Sequence, residues 1–120
     1  MIIKKSPEEI GRMRRAGGVV ARVHSEVQML IKPGIRTIDL DRLAETIIRD
    51  EGCSPSFKGY RGFPASICVS LNEEIVHGIP GPRKLREGDL VKVDVGAIFE
   101  GFHADSAWSF YVGDEPAPEV

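Results

Sequence analysis

At 120 residues the chain is one domain's worth, long enough to bury roughly two-thirds of its unfolded surface. A net charge of −2 gives no case for nucleic acid or a polyanionic surface, and an apolar content of 42% argues against disorder. Cys53 and Cys68 lack Cys-x-x-Cys spacing and read as reduced thiols of a cytosolic protein; the first residues lack the apolar core of a signal peptide, and no run is long enough to span a membrane.

Ser6-Pro7-Glu8-Glu9 predicts a helix start, with Ser6 as cap, Pro7 at the first helical position and Glu9 closing a capping box. Ile10, Met13, Val20, Val23, Val27 and Leu30 follow at helical spacing, and Arg12, Arg14, Arg15 and Arg22 lie largely off that stripe as a solvated face. Gly17-Gly18 weakens the helix by about 1 kcal/mol per Gly against Ala and is expected to mark a close helix–sheet approach. Lys32-Pro33-Gly34 ends it. Thr37 is expected to cap a second helix with Asp39 and Asp41 in its first turn, Leu40, Leu43, Ala44, Ile47 and Ile48 as its buried stripe, and Glu51-Gly52 at its end. A loop rich in Gly, Pro and aromatics follows from Cys53 to Ala65. Ser66–Leu71 and Ile75–His77 read as short strands around an Asn72-Glu73-Glu74 turn, and a Pro- and Gly-punctuated loop runs from Gly78 to Gly88.

The stretch Leu90–Val112 reads as a β-hairpin with Glu100-Gly101 as a two-residue turn. Phe99 then pairs with Phe102, Gly96 with Asp105 and Asp94 with Ala107. Side chains alternate along a strand, so Asp94 and Asp105 share a face as diagonal neighbours, with Cα atoms about 7–8 Å apart. Two carboxylates so placed can lean together onto hard or borderline metal ions, which in two-metal hydrolytic sites lie about 3.5–4 Å apart. An odd slip of the turn would separate them. Edge strands also carry solvated carboxylates with no function. Here, however, Val91, Val93 and Val95 on one strand and Phe102, Trp108 and Phe110 on the other make the hairpin look anchored on a core.

Other residues carry weaker signals. His77 stands at a strand end beside Gly78 and Pro80, where a neutral imidazole can donate to a substrate carbonyl or bind a metal, although a lone histidine is more often structural. His103 shares a face with Asp105 and is a weaker ligand candidate; His24, on the first helix, is given no role. Phe57, Tyr60 and Phe63 can line an apolar pocket, or simply cover a core. Cys68 is a small buried hydrophobe or a soft sulfur near a site.

Taken together, Gly59-Tyr60-Arg61-Gly62-Phe63-Pro64, the run from Ser70 through Asn72-Glu73-Glu74-Ile75-Val76-His77-Gly78-Ile79 to Pro80, Asp89-x-x-x-x-Asp94 and Gly101-Phe102-His103-Ala104-Asp105-Ser106 resemble the methionine aminopeptidases of the bacterial type I kind, in metallopeptidase family M24. The resemblance runs through the whole chain in the same order. It implies an α+β fold, one half of the pita-bread architecture, as an antiparallel sheet with two helices packed on one face. Residues 1–120 would be the N-terminal half of the catalytic domain. The Glu-Pro-Ala-Pro-Glu ending resembles a linker leading into a further helix.

The resemblance also implies two divalent metal ions, Co, Mn, Fe or Zn, with Asp94 on one ion and Asp105 bridging both. His77 would hydrogen-bond the scissile amide. Tyr60, Phe63 and Cys68 match the positions that line the pocket for the methionine side chain; Phe57 stands where some members have a cysteine. Ala104 and Ser106 replace a common Gly and Thr. The remaining ligands, a His and two Glu, belong to the family's second half. The activity implied is removal of the N-terminal methionine from nascent proteins in the cytoplasm, with ribosome association as a further expectation, and this chain alone is expected to be inactive or nearly so. It is also expected to expose an apolar sheet face and to self-associate. Two other readings stand beside this one: a non-catalytic peptide- or protein-binding module on the same scaffold, and a proline-specific relative such as prolidase or aminopeptidase P.

Overall fold

A computed structural model describes residues 6–59, 62–72 and 78–113. Helix α1 (Pro7–Leu30) begins as its sequence predicts. Ser6 Oγ accepts from the Glu9 amide at 3.2 Å, and Glu9 Oε1 accepts from the Ser6 amide at 2.9 Å, so two otherwise orphaned donors are satisfied. Val20, Val23 and Val27 are buried along with Ala16, Val19 and His24. Ile10 and Met13 remain about 40% exposed, so the predicted stripe is a core face only from Ala16 onward. The close approach expected at Gly17-Gly18 is absent: a Cβ at either position would meet nothing within 4 Å.

Helix α2 (Thr37–Asp50) starts one residue earlier than its predicted cap requires, because Arg36 occupies the N-cap. Thr37 is the first helical residue. Its hydroxyl donates to the Gly81 carbonyl at 3.1 Å and accepts from the Gly81 amide at 2.8 Å, a tertiary tie that replaces capping. Asp39 supplies the cap by accepting from the Arg36 amide at 2.9 Å. Leu40, Ala44, Ile47 and Ile48 form the buried face, and Gly52, at φ +79°, closes the helix with its amide on the Arg49 carbonyl.

Four strands follow: β1 (Ser54–Pro55), β2 (Ile67–Leu71), β3 (Leu90–Phe99) and β4 (Phe102–Tyr111). All pairings are antiparallel. β3 is central, with β4 along one side and β2 and β1 end to end along the other. β1 lies within the stretch expected to be loop. It is two residues long and exists only through its pairing with Ala97 and Ile98, so it carries no periodicity of its own. The expected strand Ile75–His77 lies outside the described residues.

Both helices pack on one face of the sheet, giving the α+β arrangement expected. The core between them is rich in β-branched residues. Val91, Val93, Val95 and Ile67 on the sheet, with Val23, Val27, Leu40 and Ile48 on the helices, are all completely buried. The opposite face corrects the expectation of an apolar surface. The alternation that sends the valines inward brings Lys92, Asp94, Asp105 and Ser109 outward, with Leu90 and Tyr111 as a partly exposed apolar pair at one end. No helix among the described residues is long and apolar enough to cross a membrane.

Candidate metal centre

The hairpin forms in the expected register. Glu100 and Gly101 have φ of +48° and +85°, the left-handed pair of a two-residue type I′ turn. Phe99 pairs with Phe102, Gly96 with Asp105 and Asp94 with Ala107. Asp94 and Asp105 therefore lie diagonally on the face turned away from the helices, Asp94 half-buried and Asp105 exposed. His103 falls on the same face, opposite Ile98, and is also exposed.

Gly96 forms the floor between the carboxylates and the loop after β1. The Ser56 amide donates to the Gly96 carbonyl at 3.1 Å. A Cβ at Gly96 would lie 2.9 Å from Ser56 Cβ and 3.3 Å from Phe57 Cζ, so only glycine lets that loop approach. Phe57 is thereby set beside the carboxylate pair, and Phe63 meets its ring edge-on at 6.5 Å. Cys68 pairs with Asp94 across β2 and β3. Burial, and then the charge of Asp94, push its thiol up to about 11, so at neutral pH it is a protonated, apolar wall rather than a thiolate. Phe57 and Cys68 are thus brought beside the carboxylates, with Phe63 against the Phe57 ring, whereas Tyr60 and His77 lie outside the described residues.

Two further groups position these elements, and the sequence reading gave neither that role. On α2, Asp41 Oδ1 accepts from the Ser66 and Ile67 amides at 2.7 and 3.0 Å, fixing the start of β2. Burial raises the Asp41 pKa against the pull of those amides. One turn on, Glu45 accepts from Lys58 Nζ, Arg49 Nε and Ser66 Oγ, each at 2.8 Å, and these contacts hold its carboxyl down at about 2. The two carboxylates tie Lys58 within the aromatic loop, and the Ser66–Ile67 segment that follows it, to α2. Their sequence signal was an i, i+4 acidic pair on a helix preceding a Gly-rich loop.

The second group is His24, wholly buried, whose Nε2 lies 3.1 Å from both the carbonyl and the hydroxyl of Ser106. Its ring stacks on Trp108 at 4.7 Å with planes 2° apart. Burial lowers its pKa, outweighing the Ser106 carbonyl and the charge of Asp94, so the ring is neutral near pH 7.

The donor set fits a divalent cation in kind, because two carboxylates offer the hard oxygens that Mn²⁺-type ions take. It does not complete a shell. No group of three or more His, Cys, Asp or Glu able to hold a metal is found among the described residues.

The profile of metallopeptidase family M24 matches residues 11–120. Methionine aminopeptidase 1 of Bacillus subtilis is 56% identical over 114 residues, which cover 95% of this chain and 46% of that protein. The crystal structure of the methionine aminopeptidase of Thermotoga maritima superposes with a TM-score of 0.89 at 43% identity, over 97% of this chain and 47% of that one. The Xaa-Pro dipeptidase of Bacillus anthracis superposes with a TM-score of 0.79 at 25% identity, over 96% and 31% of the two chains. The chain therefore spans just under half the length of these two methionine aminopeptidases.

Proposed function

This chain belongs to metallopeptidase family M24, and we propose that it contributes two aspartates and most of a side-chain pocket to a methionine aminopeptidase that removes N-terminal methionine from nascent polypeptides in the cytoplasm. The antiparallel sheet with two helices on one face is the half of the pita-bread fold that its neighbours share. The observation that carries the reading is the placement of Asp94 and Asp105 on one open face of one hairpin, with Phe57 and Cys68 beside them and Phe63 against Phe57.

Each residue has a part in the reading. Asp94 would hold one of two divalent ions and Asp105 would bridge them, with further ligands supplied from outside these 120 residues. The ions, when bound, supply Lewis acidity toward a peptide carbonyl and lower the pKa of water to near neutral. Phe57 and Phe63 would offer an apolar lining suited to an unbranched thioether, to which Tyr60 is expected to add, and Cys68 is a protonated thiol that does not compete as a ligand at neutral pH. His77 would donate to the scissile amide and orient it. The methionine-specific reading is favoured over a proline-specific one by identities of 56% and 43% to methionine aminopeptidases against 25% to the Xaa-Pro dipeptidase. Retention of both aspartates favours a metal role over a purely protein-binding module.

Titration of Mn²⁺ into the chain tests the site, alongside an Asp94→Ala, Asp105→Ala double variant. Weak binding that the double variant abolishes is the expected result, and equal binding by both proteins would remove the aspartates from the site. Cleavage of Met-Ala-Ser against Ala-Pro peptides, with the missing half supplied, separates the two substrate readings.

A further inference from the structure

We propose that His24 is a positioning residue for Asp105, acting through Ser106 from the buried side of the sheet. The inference rests on the metal reading above.

Ser106 and Asp105 are consecutive on β4 and point to opposite faces, Asp105 to the open side and Ser106 to the helices. Among the described residues β4 pairs only with β3, so its other edge has no ladder to hold it. β4 at Asp105 and Ser106 is therefore held by the β3 ladder on one side and otherwise by its contacts to the helical layer. His24 supplies contacts of the second kind at Ser106. Its Nε2 meets the Ser106 carbonyl and hydroxyl together, both at 3.1 Å, and its ring lies flat against Trp108 two residues further along the strand. A side chain that grips the carbonyl of the next residue and stacks beyond it fixes the height and twist of β4 at Asp105.

The unused ring atom supports this role. Nδ1 is buried and has no hydrogen-bond partner among the described residues. A buried N–H without an acceptor is costlier than a bare lone pair, so the proton belongs on Nε2, donating to the Ser106 carbonyl. A leucine would fill the space without an orphaned nitrogen. The histidine thus gives up some stability for a hydrogen bond directed at one peptide unit, Ser106–Ala107, which begins one residue beyond Asp105.

Mn²⁺ is the probe, its binding read by water-proton relaxation, which reports weak complexes. His24→Leu keeps the volume and deletes the bond. His24→Gln places an amide nitrogen where Nε2 stood, and His24→Asn places one where Nδ1 stood. Changes in groups behind metal ligands cost about 10–100-fold in affinity, so His24→Leu and His24→Asn are expected to bind Mn²⁺ about tenfold more weakly or worse, with His24→Gln recovering most of the loss. Trp108, the sole tryptophan, reports by its emission that β4 remains in place. Parent-like affinity in a folded His24→Leu variant, even with a lowered melting temperature, would show a merely structural histidine and overturn the proposal. If that variant does not fold, the Gln and Asn variants decide alone, and equal affinities overturn it. Parent-like binding by the Asp94→Ala, Asp105→Ala protein would instead remove the metal reading and this inference with it. Loss there, with no effect at His24, removes this inference only.

Discussion

The two faces of β3 have been given different work. Val91, Val93 and Val95 point to the helices and are completely buried, while Lys92, Asp94 and Gly96, interleaved with them, face the open side. One strand is both the centre of the core and the base of the candidate metal centre. The alternation teaches that stability and chemistry can be changed separately here, one residue apart, provided the register holds. The largest test of that separation is Val93→Asp. A carboxylate with no partner at a site of zero exposure costs several kcal/mol, comparable to the roughly 5–15 kcal/mol that holds a domain together. Loss of the cooperative thermal transition, followed by circular dichroism, is the expected result. Asp105→Asn, on the other face, should leave the melting temperature near that of the parent.

Gly96→Ala probes the boundary between the two roles. The new methyl would stand 2.9 Å from Ser56 Cβ and 3.0 Å from its Oγ, so the Ser56–Phe57 segment has to move. Overpacking of this kind costs about 1–3 kcal/mol. The displacement falls on the open face, so Mn²⁺ binding should weaken as well. A variant with parent-like urea midpoint and Mn²⁺ affinity would mean that the loop yields freely and does not define the site.

How much of this was legible in the sequence follows from the range of each signal. The hairpin register, both carboxylates on one face and the capping box at Ser6 were readable because each depends on residues near one another in the chain. The valine stripe of β3 was readable because a period of two needs no tertiary knowledge. β1, the Thr37–Gly81 tie, the Asp41 and Glu45 clamp and the His24–Ser106 contact were not, because each is a long-range pairing with no periodic trace. The open face was misjudged for another reason. The expectation of an apolar surface rested on the absence of a covering half, whereas the alternation along β3 and β4 sends most of the apolar side chains inward.

The clamp gives the next prediction, read in acid. Glu45 titrates at about 2 in the folded chain against an ordinary 4.5. Its folded pKa is depressed, so its contribution is complete above pH 4.5 and is lost as pH falls toward 2. Asp89, held low first by Arg83, adds a loss of the same sign that begins as pH falls below 3.8 and continues to lower pH. Asp41 opposes them. Its pKa is raised by burial, so its carboxyl favours the folded state increasingly as it protonates. Urea midpoints for the parent should therefore drop between pH 4.5 and 2, and Glu45→Gln should flatten that drop. An unchanged slope in the variant would place the acid sensitivity elsewhere, Asp89 first.

The smallest effect belongs to Arg12, which ties α1 to the hairpin turn. Its Nε donates to Glu100 at 3.0 Å, and its guanidinium sits 5.8 Å from the centre of the Phe102 ring. Both charged side chains are well exposed, so the ion pair is worth about 0–1 kcal/mol and the ring contact about 0.5–1 kcal/mol. Salt separates these two contributions. Screening reduces the ion pair at an exposed site and leaves the packing of the guanidinium on the ring largely intact. The gap in urea midpoint between the parent and Arg12→Gln should therefore narrow, without closing, between low and high salt. Mn²⁺ affinity should not change, because the turn geometry that keeps both aspartates on one face is set by the left-handed Glu100-Gly101 pair and not by the arginine. A change in affinity would mean that the hairpin needs fastening from the helical layer at its tip as well as behind Asp105.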